Sequence, residues 1–221
     1  MDLHASQIQG FFSVPVDNLY AEPASIAWLR SHYASRIKAE DVVIVSPDAG
    51  GVKRATSIAY RLGTDFAMIH KERTEASMVS KMVLVGKVTG KMAVLIDDMC
   101  DTAGTLCKAA DTVKAHGAEE VLAICTHGIL SGNAIENLNR CEGLSKLVVT
   151  NTVPLQGKEG KCAKIETINI APTLSEAIRR THNVSCGAFL LLELERVVFR
   201  GLGEGESVSF LFTHAPVDST A

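Results

Sequence analysis

Three acids and a phosphate-binding turn share nine positions of this chain. Asp97, Asp98 and Asp101 lead into Thr102, Ala103, Gly104 and Thr105 within the stretch VLIDDMCDTAGTL, residues 94–106. A carboxylate accepts hydrogen bonds from two neighbouring hydroxyls, so paired acids suit a vicinal diol. Small residues and hydroxyls at the start of a helix offer free backbone amides to an anion, which suits a terminal phosphate. Carboxylates repel a phosphate at close range, so the two sets of groups must meet different parts of one ligand. A ribose 5-phosphate has both parts. The plainer reading is a strand-end acid pair that caps a helix and adds surface charge.

A second stretch, SPDAGGVKRA at 46–55, follows another apolar run. Gly50 and Gly51 allow close approach of backbone to a ligand, a helix beginning near Val52 directs its amides into the same space, and Lys53 and Arg54 stand nearby. Glycines there also serve strand-to-helix turns for geometry alone.

These loops need a frame, and the chain supplies one. Buried strands are expected at VVIVS (42–46), FAMIH (66–70), MAVLID (92–97), VLAICTH (121–127) and KLVVTN (146–151). Between them Ala55, Ile58, Ala59 and Leu62 recur at helical spacing, as do Leu106, Ala109, Ala110 and Val113, and Gly63 and Gly117 mark helix ends. Pro23 opens an earlier helix with Ile26, Leu29, Tyr33 and Ile37 on one face. Alternating strands and helices predict an α/β fold, a mainly parallel sheet with helices on both faces and ligands beyond its carboxyl ends. KERTEASMVSKM (71–82) breaks the pattern: it is polar, mixed in charge and without an apolar stripe. Such a segment is a functional loop or, more plainly, a solvated hairpin connection.

At 221 residues and 47% hydrophobic the chain can bury a large core. A formal charge of -3 provides no basic field for nucleic acid. Six cysteines without a CxxC pair, several inside apolar runs, read as reduced core thiols rather than disulfides or a zinc site. The start MDLHASQIQGFF has no basic and apolar export signal, and Glu193, Glu195 and Arg196 interrupt the late apolar run GAFLLLELERVVF. The expectation is a cytoplasmic protein with neither membrane nor nucleic-acid partners.

VLIDDMCDTAGT resembles the ribose-phosphate loop of the phosphoribosyltransferase fold. Together with SPDAGGVKR, IHKER, THGILSG, VVTNT and AIRRTHN it resembles the ribose-phosphate pyrophosphokinase family, also called PRPP synthetases, from Asp2 to about Asn183. The resemblance implies transfer of pyrophosphate from ATP to the anomeric hydroxyl of ribose 5-phosphate, with Mg2+. It implies that Asp97, Asp98, Asp101, Thr102, Ala103, Gly104 and Thr105 hold the ribose phosphate and that Asp48, Ala49, Gly50 and Gly51 lie under the pyrophosphate. Lys71 and Arg73 match the family's catalytic loop, and His4 and Asp48 its metal-associated positions. Gln9, Asp17, Asn18, Ser207 and Ser209 match an effector phosphate site between subunits, which implies a homo-oligomer built on dimers.

Two departures accompany the resemblance. Family members carry a first domain with adenine-contacting residues ahead of DLHASQIQGFF, so residues 1–22 are expected to be a remnant of that domain and 23–183 the second phosphoribosyltransferase-like domain. Between THN and GESVSFLF stand 21 further residues, 184–204, expected to be a translated intron or else an inserted amphipathic helix, before a terminal strand and tail at 205–221. The resemblance therefore implies a chain that binds ribose 5-phosphate without releasing AMP from ATP. Two other functions compete: a non-catalytic PRPP synthetase-associated regulatory subunit, against which HKER and DDMCDTAGT stand intact, and a base phosphoribosyltransferase, whose base-covering hood the sequence does not display.

Overall fold

The computed structural model of the chain describes residues 1–72 and 81–183. Twelve elements follow in chain order: α1 (Glu22–Lys38), β1 (Val42–Ser46), α2 (Val52–Leu62), β2 (Asp65–Glu72), β3 (Lys81–Val85), β4 (Met92–Cys100), α3 (Gly104–Ala115), β5 (Glu120–Gly128), α4 (Ala134–Arg140), β6 (Lys146–Thr150), β7 (Ile165–Ile168) and α5 (Ala171–His182). The strands form one sheet in the order β3-β2-β1-β4-β5-β6-β7. Every neighbouring pair is parallel except β2 and β3.

The central strands are apolar throughout because both of their faces are covered. Val43, Val45, Ala93, Leu95, Val121, Ala123, Leu147 and Val149 turn to one face, where Leu106, Ala109, Ala110 and Val113 of α3 and Ala134 and Leu138 of α4 complete a core. Val42, Ile44, Met92, Val94, Ile96, Leu122, Ile124 and Val148 turn to the other, against Ile26 and Leu29 of α1 and Ala55, Ile58, Ala59 and Leu62 of α2. The alternation along each strand is the strand period of two, and the residues of α1, α2 and α3 are those expected from spacing. Gly63 ends α2 in the left-handed region at φ 68°, and its N–H reaches back to the carbonyl of Tyr60 at 3.2 Å.

Three features depart from the sequence expectation. β4 runs three residues past Asp97, because Met99 and Cys100 continue the parallel ladder opposite His127 and Gly128. The polar segment at 71–82 is strand at both ends: Lys71 and Glu72 close β2, and Lys81 and Met82 pair with them antiparallel at the start of β3. Its ends therefore have the geometry of a hairpin, while Arg73 lies outside the described residues and Lys71 is placed by its backbone alone. β7, α4 and α5 carry too few periodic apolar residues to stand out in the sequence. The stretch at 184–204, Cys186, Ser207 and Ser209 lie outside the described residues.

The other five cysteines are free and buried. Burial pushes the Cys100 and Cys107 thiols up to about 12 and the Cys125 thiol well above its ordinary value, so they pack as small apolar groups. Among the described residues no helix is long and apolar enough to cross a membrane.

Candidate active site

Register brings the chemistry together. Val45 of β1 lies opposite Leu95 of β4, and Asp97 of β4 lies opposite Cys125 of β5, so the turns after β1, β4 and β5 leave the same edge of the sheet. That edge is where a parallel sheet binds ligands.

Asp97 and Asp98 are adjacent near the end of β4, hence on opposite faces. The Asp98 N–H donates to Asp97 Oδ1 at 2.9 Å. Burial comes first among the causes that push the Asp97 carboxyl up to about 7, and the negative charges of Asp98 and Asp48 add to it. Burial also acts to raise Asp98, but the hydrogen bond from His4, a bond to Asp97 and the charge of Arg54 outweigh it and hold the carboxyl below its ordinary range. His4 Nδ1 lies 2.6 Å from Asp98 Oδ2, and this contact raises the imidazole pKa in turn. The two acids therefore differ: His4 and Arg54 favour the charged form of Asp98, and burial favours the neutral form of Asp97.

The next turn is short. Asp101 and Thr102 are exposed, and Ala103 is buried in the left-handed region at φ 61° before α3 begins at Gly104. No side chain caps α3, so its first amides keep their capacity for an external anion. Ser131 Oγ donates to Asp101 Oδ1, and Asn137 Nδ2 donates to the Thr102 carbonyl at 2.9 Å.

The turn after β1 is shaped by Asp48. Its Oδ1 accepts from the Gly51 N–H at 3.1 Å, and its carbonyl accepts from the buried Ser46 hydroxyl at 2.6 Å. Ala49 and Gly50 are exposed at the tip. A Cβ on Gly51 would stand 2.9 Å from Ser46 Oγ and 3.5 Å from the Ile96 carbonyl. Gly51→Ala is accordingly expected to displace the Ser46 hydroxyl and cost about 1–3 kcal/mol, read as a lower melting temperature. An unchanged melt would show that the turn yields freely.

His4 reaches Asp98 because the chain ahead of it is anchored. Asp2 is 3% exposed. Its Oδ2 accepts from the Ala21 N–H at 2.9 Å and from Thr126 Oγ1 at 2.7 Å, while His127 Nε2 lies 3.1 Å from the Met1 carbonyl. Asp2, Thr126, His127, Ser131 and Asn137 were not marked as site residues by sequence; the quoted THGILSG covers three of them, but no spacing rule gives them partners. Of the positions matched to an effector site, Gln9 lies in a 3-10 turn (Ser6–Phe11) and Asn18 Oδ1 accepts from the Leu3 N–H at 3.3 Å. Asp17 is exposed. Among the described residues no three His, Cys, Asp or Glu side chains form a group able to hold a metal ion.

A mainly parallel sheet covered on both faces, with acids near a strand end leading into an uncapped helix, is an α/β fold with a ligand-binding carboxyl end. Residues 76–192, more than half of the chain, match the phosphoribosyl synthetase-associated domain. The crystal structure of phosphoribosylpyrophosphate synthetase from Mycobacterium smegmatis is similar at a TM-score of 0.72 and 39% identity, over 83% of this chain and 58% of that one. The chain belongs to the phosphoribosyl synthetase-associated domain family. It spans little more than half the length of the Mycobacterium smegmatis protein. A purine phosphoribosyltransferase from Pyrococcus horikoshii Ot3 matches at 19% identity and a TM-score of 0.37, over 52% of this chain and 86% of that one, a likeness too partial to carry weight.

Proposed function

We propose that the chain carries the ribose 5-phosphate half of a ribose-phosphate diphosphokinase site. One observation carries the reading: Asp97 and Asp98 lie near the end of β4, which closes at Cys100, and the uncapped helix α3 begins at Gly104, so acids for a diol and amides for a phosphate belong to one strand-to-helix connection. On this reading Asp98 and Asp97 accept from the ribose hydroxyls, and Asp101, Thr102, Ala103, Gly104 and Thr105 enclose the 5-phosphate. Asp48, Ala49, Gly50 and Gly51 lie under the pyrophosphate that passes from ATP to the anomeric oxygen, releasing AMP. The cations of Lys71 and Arg73 offset charge that builds up in the transfer. Family membership and the likeness to a phosphoribosylpyrophosphate synthetase support this assignment.

The Asp48 carboxylate is an oxygen donor of the kind Mg2+ takes, and His4 would add an imidazole. The two are too few to fill an octahedron, which leaves positions for water and phosphate oxygens. When bound, the ion would neutralise negative charge on the transferring phosphates. The same reading includes an effector phosphate at Gln9, Asp17, Asn18, Ser207 and Ser209, a homo-oligomer built on dimers, and a cytoplasmic setting.

Calorimetry with ribose 5-phosphate in the presence of Mg2+ tests the proposal. The chain is expected to bind it, and Asp98→Asn to weaken binding by about tenfold or more, since a charged acceptor is replaced by a neutral one. Folded protein that takes up no ribose 5-phosphate would refute the reading.

A further inference from the structure

We infer that Asn137 and Ser131, which lie in the segment from β5 to α4 and outside the acidic turn itself, are positioning residues that hold the turn at 100–104 in its anion-binding shape. The inference rests on the ribose 5-phosphate reading for the identity of the ligand.

The turn is strained and needs outside support. Ala103 has a side chain and yet sits at φ 61°, a conformation that an L-residue adopts only when its surroundings fix it. The support comes from one direction. The Ile129 and Leu130 N–H groups donate to the Cys100 carbonyl at 3.0 and 3.1 Å, Ser131 Oγ donates to Asp101 Oδ1, and Asn137 Nδ2 donates to the Thr102 carbonyl at 2.9 Å. Carbonyl and N–H of one trans peptide unit point in opposite directions. Tying the Cys100 and Thr102 carbonyls to the 129–137 segment therefore aims the Asp101 and Ala103 N–H groups away from it. The Ala103 N–H turns to the Cys100 thiol, which helps to fix the turn. The Asp101 amide joins those of Gly104 and Thr105, which the uncapped start of α3 leaves free. Three donors of this kind make a nest for a phosphate.

The supporting segment is itself fixed. Ala134 and Leu138 anchor α4 in the core, and Cys107 of α3 directs its thiol to the Asn137 carbonyl at 3.7 Å, so Asn137 is tied to the helix whose start it helps to shape. Leu130 is 2% exposed at φ 52°, and Gly132 follows at φ 53°, so the backbone reverses on either side of Ser131. Preorganisation of this sort keeps the cost of ordering a binding turn out of the binding step.

The test follows the Gly104 and Thr105 amide resonances of 15N-labelled protein during titration with inorganic phosphate and, separately, with ribose 5-phosphate. Asn137→Leu, similar in size but without the donor, is expected to raise the half-saturating concentration of both ligands about fivefold or more. Asn137→Gln and Ser131→Thr should retain most of the affinity, and Ser131→Ala should lose part of it. Asn139 serves as control: its Nδ2 donates to the Lys161 carbonyl at 3.2 Å, away from the turn. Asn139→Leu should leave both titrations unchanged even where its melting temperature falls. Equal affinity in wild type and Asn137→Leu, or an equal loss in Asn139→Leu, would overturn the inference, as would a wild-type turn whose amides respond to neither ligand. Phosphate binding that depends on Asn137, without preference for ribose 5-phosphate, would uphold the inference and remove the functional reading instead.

Discussion

Asp97→Asn is expected to raise the melting temperature at pH 8 by about 4–8 °C while weakening ribose 5-phosphate binding about tenfold. The Asp97 carboxyl is pushed from an ordinary 3.8 up to about 7, first by burial and then by its carboxylate neighbours. A folded value above the unfolded one means that stability is fully present below the unfolded pKa and is lost as pH rises through the folded one. The window therefore runs from about 4 to 7, and at pH 8 the protein carries a buried charge that it would be more stable without. About three units would correspond to about 4 kcal/mol, and the group's partial exposure and its link to Asp98 bring the expected gain to about 2 kcal/mol. The amide oxygen of an asparagine can still accept from the Asp98 N–H, so the backbone at this point is kept. Melts of both proteins at pH 4.5, 6 and 8 check the idea: the difference should be smallest at the lowest pH and grow upward. A constant difference would mean that Asp97 does not titrate in this range. Stability gained at the expense of ligand affinity is the trade expected of an acid kept for binding.

Asp2→Ala should have an opposite and somewhat larger effect on stability. The substitution leaves two buried donors, the Ala21 N–H and the Thr126 hydroxyl, without their acceptor. Each such loss costs about 1–3 kcal/mol, and alanine tolerates the φ of 41° less well than aspartate does. A total near 3 kcal/mol would lower the melting temperature by about 6–12 °C. His4 stands two residues further on, so its contact with Asp98 should loosen as well, visible as a fall of the imidazole pKa toward its ordinary value in an NMR titration. Asp2→Asn keeps an acceptor oxygen and should cost less. A melt within about 2 °C of wild type for Asp2→Ala, corresponding to under about 1 kcal/mol, would show that the segment is anchored by something else.

The sheet and most of its helices could be read from the chain alone, because both have short periods. Val42 to Val45 and Met92 to Ile96 are continuous apolar runs that suit a strand covered on both faces. Ala55, Ile58, Ala59 and Leu62 trace one stripe of a helix, and all four are buried. Elements short of apolar residues were less visible. Seven-residue α4 and four-residue β7 owe their existence to neighbours already in place rather than to their own pattern. The polar segment at 71–82 hid two strand ends for the same reason: pairing between Lys71 and Met82 belongs to the ladder and leaves no trace in hydrophobicity.

For the site, the sequence by itself determined which groups belong to one turn. Acids at 97, 98 and 101 and the residues up to Thr105 are neighbours along the chain, so no fold could separate them widely. Tertiary structure alone decided what each acid is for. Asp97 and Asp98 are identical in type and adjacent in sequence, yet burial raises one to about 7 while His4, from ninety-four residues away, lowers the other. Likewise the Thr102 carbonyl finds Asn137 thirty-five residues on. A pKa and a hydrogen bond depend on distances through space and on exclusion of water, whereas residue order records only distances along the chain.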